Sequence, residues 1–382
     1  MIYFDNNATT EMAGAAVAAM LPFLAEHYGN PSSAYSFART SRKAVEQARE
    51  KVAGLLGADH PDEVVFTSGG TESDNWAIRG AIAAANGKRK IVTTTVAHEA
   101  VRKLCDSLEK DGFEVLRLDV DREGMIDLDR LAEAVDDRTA VVSMMLANNE
   151  TGVVFPVEEA AKMIRSRSGA LFHVDAVNAA GKVPIRAGTS GIDLISVSAH
   201  KFHGPKGIGA LYIRNGVELS QQSIGGGQED GRRAGTEAVH QIVAMGAAAG
   251  LVSDLSDMER VQELRDRLER GILETIADTS VNGAGSPRIP NTSNISFAGA
   301  NGEGILARLN DIGICVSTGS ACNEGAHTVS PVLKAMDIPF DLATSSVRFS
   351  LGRMNTEEEV DKVLEALPGI ISDLRSAYSA GA

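Results

Sequence analysis

The sequence predicts an α/β protein built around a large, mostly parallel β-sheet. Short apolar runs, typical of buried strands, alternate with segments of helical periodicity through residues 63–213, which is the pattern of successive strand–helix–strand units. The chain also has 382 residues, 43% of them hydrophobic and 23% charged, an ordinary globular composition in a chain long enough for two domains. Ligands of such sheets bind at the carboxyl ends of the strands, so residues that follow strands are the first candidates for a site.

The first part of the chain begins with helical spacing of apolar residues and continues with the strand–helix alternation. Strands are expected at residues 63–67, 90–95, 113–118, 140–146, 171–174 and 193–197. The run at residues 209–213 is expected to pair at an edge of the sheet. Helices are expected at residues 12–24, 39–56 (ending at Gly57), 72–85, 98–110, 128–135 and 157–165.

The pattern changes after the glycine-rich residues 225–227. Residues 239–276 are predicted to be largely helical. The elements expected after them are strands at residues 292–297, 314–317 and 346–350, a helix at residues 303–311 and helices from residue 356 onward. We therefore expect a large domain of residues 12–255 and a smaller α+β domain of residues 1–11 and 256–382.

Charge and cysteine content argue against several classes of protein. The formal net charge of −14 repels a phosphate backbone, so nucleic-acid binding is not expected. The sequence shows neither a signal peptide nor an apolar segment long enough to span a bilayer, so no membrane association is expected. Three cysteines in a long chain, Cys105, Cys315 and Cys322, argue against a disulfide framework and for a reducing compartment. We expect a soluble, cytoplasmic protein in which Cys105 and Cys315 belong to the core.

Lys201 follows an apolar strand in the sequence Ser198-Ala199-His200-Lys201 and precedes a loop rich in glycine and proline. An ammonium group is costly to bury unpaired, so a lysine at this position calls for a reason. One reason is covalent chemistry, because a desolvated amine can hold a carbonyl cofactor such as pyridoxal 5′-phosphate (PLP) as a Schiff base. The alternative is a surface lysine beside the end of a strand.

Asp175 and His98 also follow predicted strands, so they belong to the same edge of the sheet as Lys201. A carboxylate at Asp175 could keep a pyridine nitrogen protonated and make the ring an electron sink, or it could cap the next turn. The imidazole of His98 could stack on a flat cofactor ring, or it could cap the helix that it precedes.

Three further features of the sequence could take part in binding or catalysis. The small residues 67–73 lie between a strand and a helix, where backbone N–H groups can bind a phosphate, although a plain turn capped by Thr71 is equally compatible. Arg348 interrupts an apolar strand, which suits bidentate capture of a carboxylate, unless it simply faces solvent. Cys322 lies among small, polar residues and glycines, which is typical of a nucleophile that must travel rather than of a structural cysteine.

Taken together, these motifs resemble the group I cysteine desulfurases, the NifS/IscS-like members of the class V aminotransferase family of PLP enzymes. The resemblance runs from Asp5 to about Leu374 and depends on the joint order and spacing of motifs that are weak alone. The motifs are residues 67–73, His98, residues 148–152, residues 173–175, residues 198–201, residues 231–236, residues 319–322 and residues 348–350.

The resemblance implies the aspartate aminotransferase-like architecture (fold type I), a homodimer and a role for each motif. Lys201 would form the Schiff base, Asp175 would pair with the pyridine nitrogen and His98 would stack on the ring. The residues implied to hold the phosphate are Gly70, Thr71, Ser198 and His200, together with Thr236, which would reach the phosphate bound in the partner subunit. Asn149 and Arg348 would hold the substrate carboxylate, Cys322 would accept sulfur, and no metal is implied.

The reaction implied is the conversion of L-cysteine to L-alanine. Lys201 would take the Cα proton, and the thiolate of Cys322 would take the substrate sulfur as a persulfide. That sulfur would pass to an acceptor or scaffold protein for iron–sulfur cluster assembly. Residues 147–152 and 232–237 are closer to the nitrogen-fixation type than to the housekeeping type.

The chain departs from the family pattern at a few positions. Asn178 stands where a glutamine usually contacts the 3′ oxygen of the cofactor, and Glu99 follows His98 where proline is common. Residues 323–327 differ from the usual run, and the C-terminal tail that binds a scaffold in many members is expected to be short. Two alternatives stay open at this point: another PLP enzyme on the same fold, such as a selenocysteine lyase or an aminotransferase, and a non-catalytic scaffold that kept the fold.

Overall fold

A mixed, seven-stranded sheet lies at the centre of the molecule, in a computed structural model that describes residues 1–318 and 329–381. The strands are β1 (Ile2–Tyr3), β2 (Val64–Thr67), β3 (Lys90–Thr94), β4 (Glu114–Leu118), β5 (Thr139–Met145), β6 (Leu171–Asp175), β7 (Leu194–Ser198), β8 (Gly209–Ile213), β9 (Thr279–Val281), β10 (Thr292–Phe297), β11 (Ile314–Cys315) and β12 (Ser346–Ser350). The central sheet has the order β2-β8-β7-β6-β5-β3-β4. The predicted strands of this sheet are confirmed, with bounds that agree within two residues.

The strand β8 lies inside the sheet, between β2 and β7, and pairs antiparallel with both. The prediction that residues 209–213 pair at an edge is therefore wrong. All five residues of β8 are buried, as expected when a continuous apolar run forms an internal strand. Only a short 3-10 helix (Ala199–Lys201) and a loop separate β7 from β8, so the chain turns back beside β7, and β2 then adds to the outer side of β8.

Helices cover both faces of this sheet. The α-helices of the described residues are α1 (Gly14–Met20), α2 (Pro22–Ala25), α3 (Ala38–Leu56), α4 (Gly70–Ala84), α5 (Glu99–Lys110), α6 (Leu128–Ala134), α7 (Val157–Arg167), α8 (Ala187–Ser190), α9 (Val239–Val252), α10 (Ser256–Thr275), α11 (Gly302–Asp311), α12 (Pro331–Ala335), α13 (Phe340–Thr344) and α14 (Glu357–Gly381). One face is packed against α4 and α5, and the other against α3, α6, α7 and α9.

Two of the predicted helices are divided in the structure. The segment predicted at residues 239–276 forms α9 and α10, because the chain leaves the helix at Ser253 and Asp254 accepts a hydrogen bond from the backbone of Ser256 at 2.9 Å. The segment predicted at residues 12–24 forms α1 and α2, which meet at Leu21 just before Pro22. Leu21 itself has helical dihedral angles (φ −53°, ψ −46°), so the interruption comes from Pro22, which lacks the N–H that a continuous helix needs.

A second hydrophobic cluster is built from α10, α11, α14, β10 and β12. Phe4, at the other end of the chain, is fully buried in it, and β1 pairs parallel with β11. The division of the chain at residue 255, with residues 1–11 assigned to the smaller domain, stays a prediction that this separate cluster supports. Within the described part of the chain, no helix has the length and apolar composition needed to cross a membrane.

Gly57 ends α3 in the left-handed region, at φ 61°, where its N–H closes the helix onto Ala53 and Gly54. A Cβ at this position would lie 2.7 Å from the carbonyl oxygen of Ile185. We predict that Gly57→Ala destabilises the protein by about 1–3 kcal/mol, because it adds strain at a positive φ to this close contact. The matched control is Gly54→Ala in the same helix, where a Cβ meets nothing within 4 Å. The control should gain about 0.5–1 kcal/mol. Thermal unfolding midpoints of the two variants check the prediction, and equal midpoints would contradict it.

Candidate active site

Lys201 lies at the end of a short turn (Ala199–Lys201) that directly follows β7. It is half-buried, and its Nζ donates hydrogen bonds to the backbone oxygens of Asn7 at 2.6 Å and Ala8 at 2.9 Å. The N-terminal segment therefore crosses the carboxyl edge of the sheet and contacts this lysine. The alternative of a plain surface lysine does not describe this environment.

The buried side chain of Asn7 connects several parts of this edge. Its Nδ2 donates to Thr292 Oγ1 at 2.8 Å and to the backbone oxygen of Asn149 at 3.2 Å. Its Oδ1 accepts from Asn291 at 3.1 Å and from Lys182 at 3.3 Å. The side-chain amide of Asn7 thus joins the N-terminal segment to two hydrophobic units of the chain, the one around the central sheet and the second cluster, which contains β10.

Asp175 is the last residue of β6 and is buried, with its Oδ1 accepting a hydrogen bond from the backbone of Val177 at 2.9 Å. Burial and, to a smaller extent, the neighbouring carboxyl of Asp74 raise the pKa of Asp175 to about 6. The ionised form of Asp175 therefore needs a cation beside it. A protonated pyridine nitrogen is such a cation.

His98 is the N-cap of α5, and its Nδ1 accepts a hydrogen bond from the backbone of Ala100 at 3.2 Å. The imidazole is exposed, yet one of its ring nitrogens lies within 4.8 Å of carboxylate oxygens of Asp74 and Asp175. The helix-cap interpretation and the ring-stacking interpretation are therefore compatible. The same imidazole caps α5 and stands beside Asp175.

The first turn of α4 begins at Gly70, after Gly69, whose φ of 150° lies in a region that favours glycine. Ser198 at the end of β7 is buried and lies next to this turn, because a Cβ on Gly70 would be 3.7 Å from the Cβ of Ser198. The same Cβ would meet Val177 at 2.8 Å, so a side chain larger than glycine does not fit there. Thr71 is exposed at the same helix end. The N-terminal N–H groups of α4 and the side chains of Thr71 and Ser198 thus border the same small space.

His200 lies between this space and the N-terminal segment. Its Nδ1 is 3.2 Å from Thr9 Oγ1. Burial lowers the pKa of His200 to about 4, and the positive charges of Lys201 and Lys206 lower it further, so the imidazole is neutral at neutral pH. A neutral imidazole keeps one N–H with which it can donate a hydrogen bond to an anion.

Asn178 is held by the protein itself. Its Oδ1 accepts a hydrogen bond from Lys182 Nζ at 3.0 Å, and its Nδ2 donates to the backbone oxygen of Asn148 at 3.3 Å. Lys182 is fully buried, which lowers the pKa of its amine well below the usual range, and the charges of Lys201 and Arg348 act in the same direction. Contact between Asn178 and a cofactor stays a prediction.

Arg348 is buried in β12, so the alternative that it faces solvent is wrong. Its two terminal nitrogens donate to Asp5 Oδ1 at 2.6 Å and to the backbone oxygen of Asn149 at 2.9 Å. Its Nε has no hydrogen-bond partner among the described residues. A buried guanidinium with an unsatisfied N–H can donate a hydrogen bond to a further anion.

The segment that carries Cys322 lies outside the described residues, which resume at Val329. The chain enters this segment from Ser317, whose backbone exchanges two hydrogen bonds with that of Arg348, at 3.2 and 2.7 Å. After the segment, Ser330 caps α12 and donates a hydrogen bond to the buried carboxyl of Glu150. The ends of the segment are thus fixed beside Arg348 and beside the neighbour of Asn149.

The two described cysteines have different environments. Cys105 is buried, and burial raises the pKa of its thiol to about 11, which makes it inert. Cys315 is only half-buried, so the expectation of a core cysteine holds for Cys105 but not fully for Cys315. Thr236 is exposed, and the loop that carries it is attached to α4 by the ion pair of Arg233 with Glu72 at 2.9 Å.

Sequence reasoning missed four buried residues of this region: Asn7, Asp74, Glu150 and Lys182. A weak signal existed for Asp74, which is four residues after Gly70 and so lies on the same face of α4. Asn7 and Lys182 gave none, because their roles depend on contacts between residues far apart in the sequence.

Comparison with known proteins adds to this geometry. The family described as aminotransferase class V matches residues 2–363. "Cysteine desulfurase 2" of Trichormus variabilis is 52% identical over 98% of this chain and 94% of its own length. The chain belongs to the cysteine desulfurases of the class V aminotransferase family. "Cysteine desulfurase NifS" of Azotobacter vinelandii is 47% identical over the same shares of the two chains. A solved structure titled "NIFS-LIKE PROTEIN" superposes with a TM-score of 0.91 at 38% identity, covering 98% of this chain and all of the other.

Cysteine desulfurases of this family depend on PLP, and the site residues fit that cofactor. The small space bounded by Gly70 and Ser198 would be filled by a Cβ, so it suits a phosphate bound close to the backbone. Asp175 offers a buried carboxylate that needs a cation, and Lys201 offers an amine at the same edge of the sheet. The members of this donor set come from the ends of β6 and β7 and from the N-terminus of α4.

Burial raises the pKa of Glu150 to about 7 from an ordinary value of 4.5. Because the folded-state pKa is raised, the stability associated with this carboxyl is present below pH 4.5 and is lost as the pH rises through about 7. We predict that Glu150→Gln gains on the order of 3 kcal/mol over the natural protein between these two pH values, since glutamine keeps the acceptor for Ser330 but carries no charge. Denaturant unfolding at several pH values tests this, with Glu133→Gln on the exposed surface of α6 as control. Parallel stability profiles of the natural protein and Glu150→Gln would contradict it.

Proposed function

We propose that this protein converts L-cysteine to L-alanine and transfers the sulfur to Cys322 as a persulfide. The observation that carries the proposal is the position of Lys201, Asp175 and His98 at one edge of the sheet. Arg348 lies across from them, bonded to the backbone of Asn149. PLP, when bound, supplies the conjugated ring that accepts the electrons released at the substrate Cα.

Lys201 is proposed to hold the cofactor and, once displaced by the amino group of the substrate, to take the Cα proton. Its amine is positioned for both tasks by the carbonyls of Asn7 and Ala8, which accept its hydrogen bonds in this state. Burial lowers the pKa of the nearby Lys182 amine well below its usual range, and the charges of Lys201 and Arg348 act in the same direction.

Asp175 and His98 are proposed to act on the ring. The Asp175 carboxylate keeps the proton on the ring nitrogen, which makes the ring a better electron acceptor. His98, fixed by its cap bond to Ala100, is placed to lie against the ring face. Gly70, Thr71, Ser198 and His200 are proposed to hold the phosphate.

Arg348 and Asn149 are proposed to hold the substrate carboxylate. The unsatisfied Nε of Arg348 is the donor available for it, because the two terminal nitrogens are used by Asp5 and by the Asn149 backbone. This arrangement fixes the plane of the guanidinium before substrate arrives. A fixed guanidinium orients the substrate Cα at little further entropic cost.

Sulfur transfer is proposed to occur by attack of the Cys322 thiolate on the substrate sulfur. An S–S bond forms, the C–S bond breaks with its electron pair left on the carbon fragment, and protonation of that fragment gives alanine. The ends of the segment that carries Cys322 are anchored next to Arg348 and Glu150, which supports its access to this site. Cys105, buried and with a raised thiol pKa, is not a candidate.

The partners follow from the same proposal. We propose a cytoplasmic homodimer in which the exposed Thr236 reaches the phosphate bound in the partner subunit. The persulfide sulfur would go to an acceptor or scaffold protein of iron–sulfur cluster assembly. The identity of 47% with a relative named NifS supports a nitrogen-fixation type of supply.

The first test is a single turnover of the PLP-loaded protein with L-cysteine and without reductant. We predict one alanine per active site and one added sulfur on Cys322, found by mass spectrometry of its peptide. Cys322→Ala should bind L-cysteine without releasing stoichiometric alanine, whereas Cys315→Ala, the matched control, should behave as the natural protein. Alanine without the persulfide would point to lyase chemistry, and no alanine at all would exclude the desulfurase function.

The role of Arg348 can be tested separately. We predict that Arg348→Lys raises KM for L-cysteine by roughly 10- to 100-fold and changes kcat less, because lysine keeps the charge but loses the planar fork. Asp5→Asn is the control, since it removes the ion pair and leaves every donor of the guanidinium in place. Steady-state alanine formation gives both constants. An unchanged KM in Arg348→Lys would show that the carboxylate binds elsewhere.

A further inference from the structure

A second buried carboxyl lies beside Asp175 and has no part in the mechanism above. Asp74, on α4, is 1% exposed, and its Oδ1 has no hydrogen-bond partner among the described residues. One of its carboxylate oxygens is within 4.8 Å of a carboxylate oxygen of Asp175 and of a ring nitrogen of His98. An isolated buried carboxylate is costly, so this group must either be neutral or be compensated by a neighbouring charge.

Groups on three elements face Asp74, and none is a fixed cation. His173 on β6 places its Nε2 3.5 Å from Asp74 Oδ1, but burial lowers the pKa of His173 to about 4. Its two ring nitrogens lie 2.9 Å from the hydroxyls of Ser143 and Ser196. The imidazole is therefore neutral. The hydroxyl of Ser196 on β7 favours the ionised form of Asp74 only in part, because burial still raises the pKa of Asp74 to about 7.

The remaining titratable neighbours are His98, at the start of α5, and Asp175, at the end of β6. His98 is exposed to water, whereas Asp175 is buried in the same low-dielectric space as Asp74. Two adjacent buried carboxyls do not both ionise readily, and the first proton to leave belongs to the pair rather than to either residue. The negative charge of Asp74 accordingly raises the pKa of Asp175.

We propose that Asp74 is a positioning residue that shares one proton with Asp175, and that this shared proton sets the acid limit of cofactor binding. With one proton in the pair, the proton can lie on either carboxyl, and only the form with neutral Asp74 and ionised Asp175 can pair with a protonated ring nitrogen. With two protons, Asp175 is neutral and this pairing is lost. The inference rests on the proposed PLP site and adds to it a group that acts through Asp175.

The sign of the pH effect follows from the pair. As the pH falls through about 7 and then about 6, the values for Asp74 and Asp175, the pair takes up its first and then its second proton. The share of ionised Asp175 decreases with each proton, so affinity for PLP falls. Replacing Asp74 by asparagine removes the charge that raises the pKa of Asp175. Asparagine has nearly the same shape and can still hydrogen-bond to Ser196. The acid limit of Asp74→Asn should therefore lie roughly one pH unit lower than that of the natural protein.

The experiment measures the PLP dissociation constant of the full-length protein between pH 5 and pH 8.5 by cofactor absorbance. Asp129→Asn, on the exposed surface of α6, is the matched control and should keep the midpoint of the natural protein. Asp74→Asn should bind PLP about as tightly as the natural protein at pH 8 and keep it to lower pH. Identical midpoints in the natural protein and Asp74→Asn would overturn the proposal, and so would weak binding by Asp74→Asn at every pH, which would mean a merely structural role.

Infrared spectroscopy provides an independent measurement of the protonation state of the Asp74 carboxyl. The loaded natural protein at pH 6.5 should show the carbonyl stretch of a protonated buried carboxyl that Asp74→Asn lacks. No such difference would overturn the proposal even if the midpoints moved. Alanine formation from L-cysteine at pH 8 is measured in the same variants. A failure of the proton-sharing proposal with alanine formation intact leaves the proposed function standing, whereas absence of alanine in the natural protein would remove that function.

Discussion

The site depends on one buried amide, that of Asn7, which is 1% exposed. Its backbone oxygen accepts from Lys201, while its side chain bonds to Thr292 in β10 and to the backbone of Asn149. These contacts join residues up to 285 positions apart, so they exist only after both hydrophobic units have formed. Because the side chain of Asn7 is buried, losing one of its partners leaves an unsatisfied donor or acceptor at a cost of about 1–3 kcal/mol. The position of the lysine is thus tied to the completion of the whole fold.

Much of the fold could be predicted because strands and helices in this chain follow local rules. The apolar run of β6 ends at Asp175 and that of β7 ends just before Lys201, and strand ends of one sheet share an edge. The pairing of β8 could not be predicted in the same way. Its five apolar residues indicate burial, but the choice between an edge and an internal position depends on which strand adds next, and β2 precedes β8 by more than a hundred residues.

The residues of the site also divide into those that a local sequence pattern predicts and those that it does not. Lys201, His98 and Asp175 occupy positions where a polar group follows a buried strand, so each has a local signal. Asp74 and Lys182 have none of comparable strength, since an acid or a lysine within helical spacing ordinarily faces solvent. What makes them part of the site is three-dimensional burial, which the sequence expresses only through the family resemblance to cysteine desulfurases.

Burial also determines how readily these groups carry charge. It lowers the pKa of the Lys182 amine well below the usual range and raises the pKa of the Asp74 carboxyl to about 7. The neighbour of Asp175 is thus a second desolvated acid and not a cation. A salt bridge from a buried cation would have favoured the ionised form of Asp175, but it would also have held Asp175 in one ionisation state. A desolvated carboxyl in that place leaves Asp175 able to change its protonation when the cofactor binds.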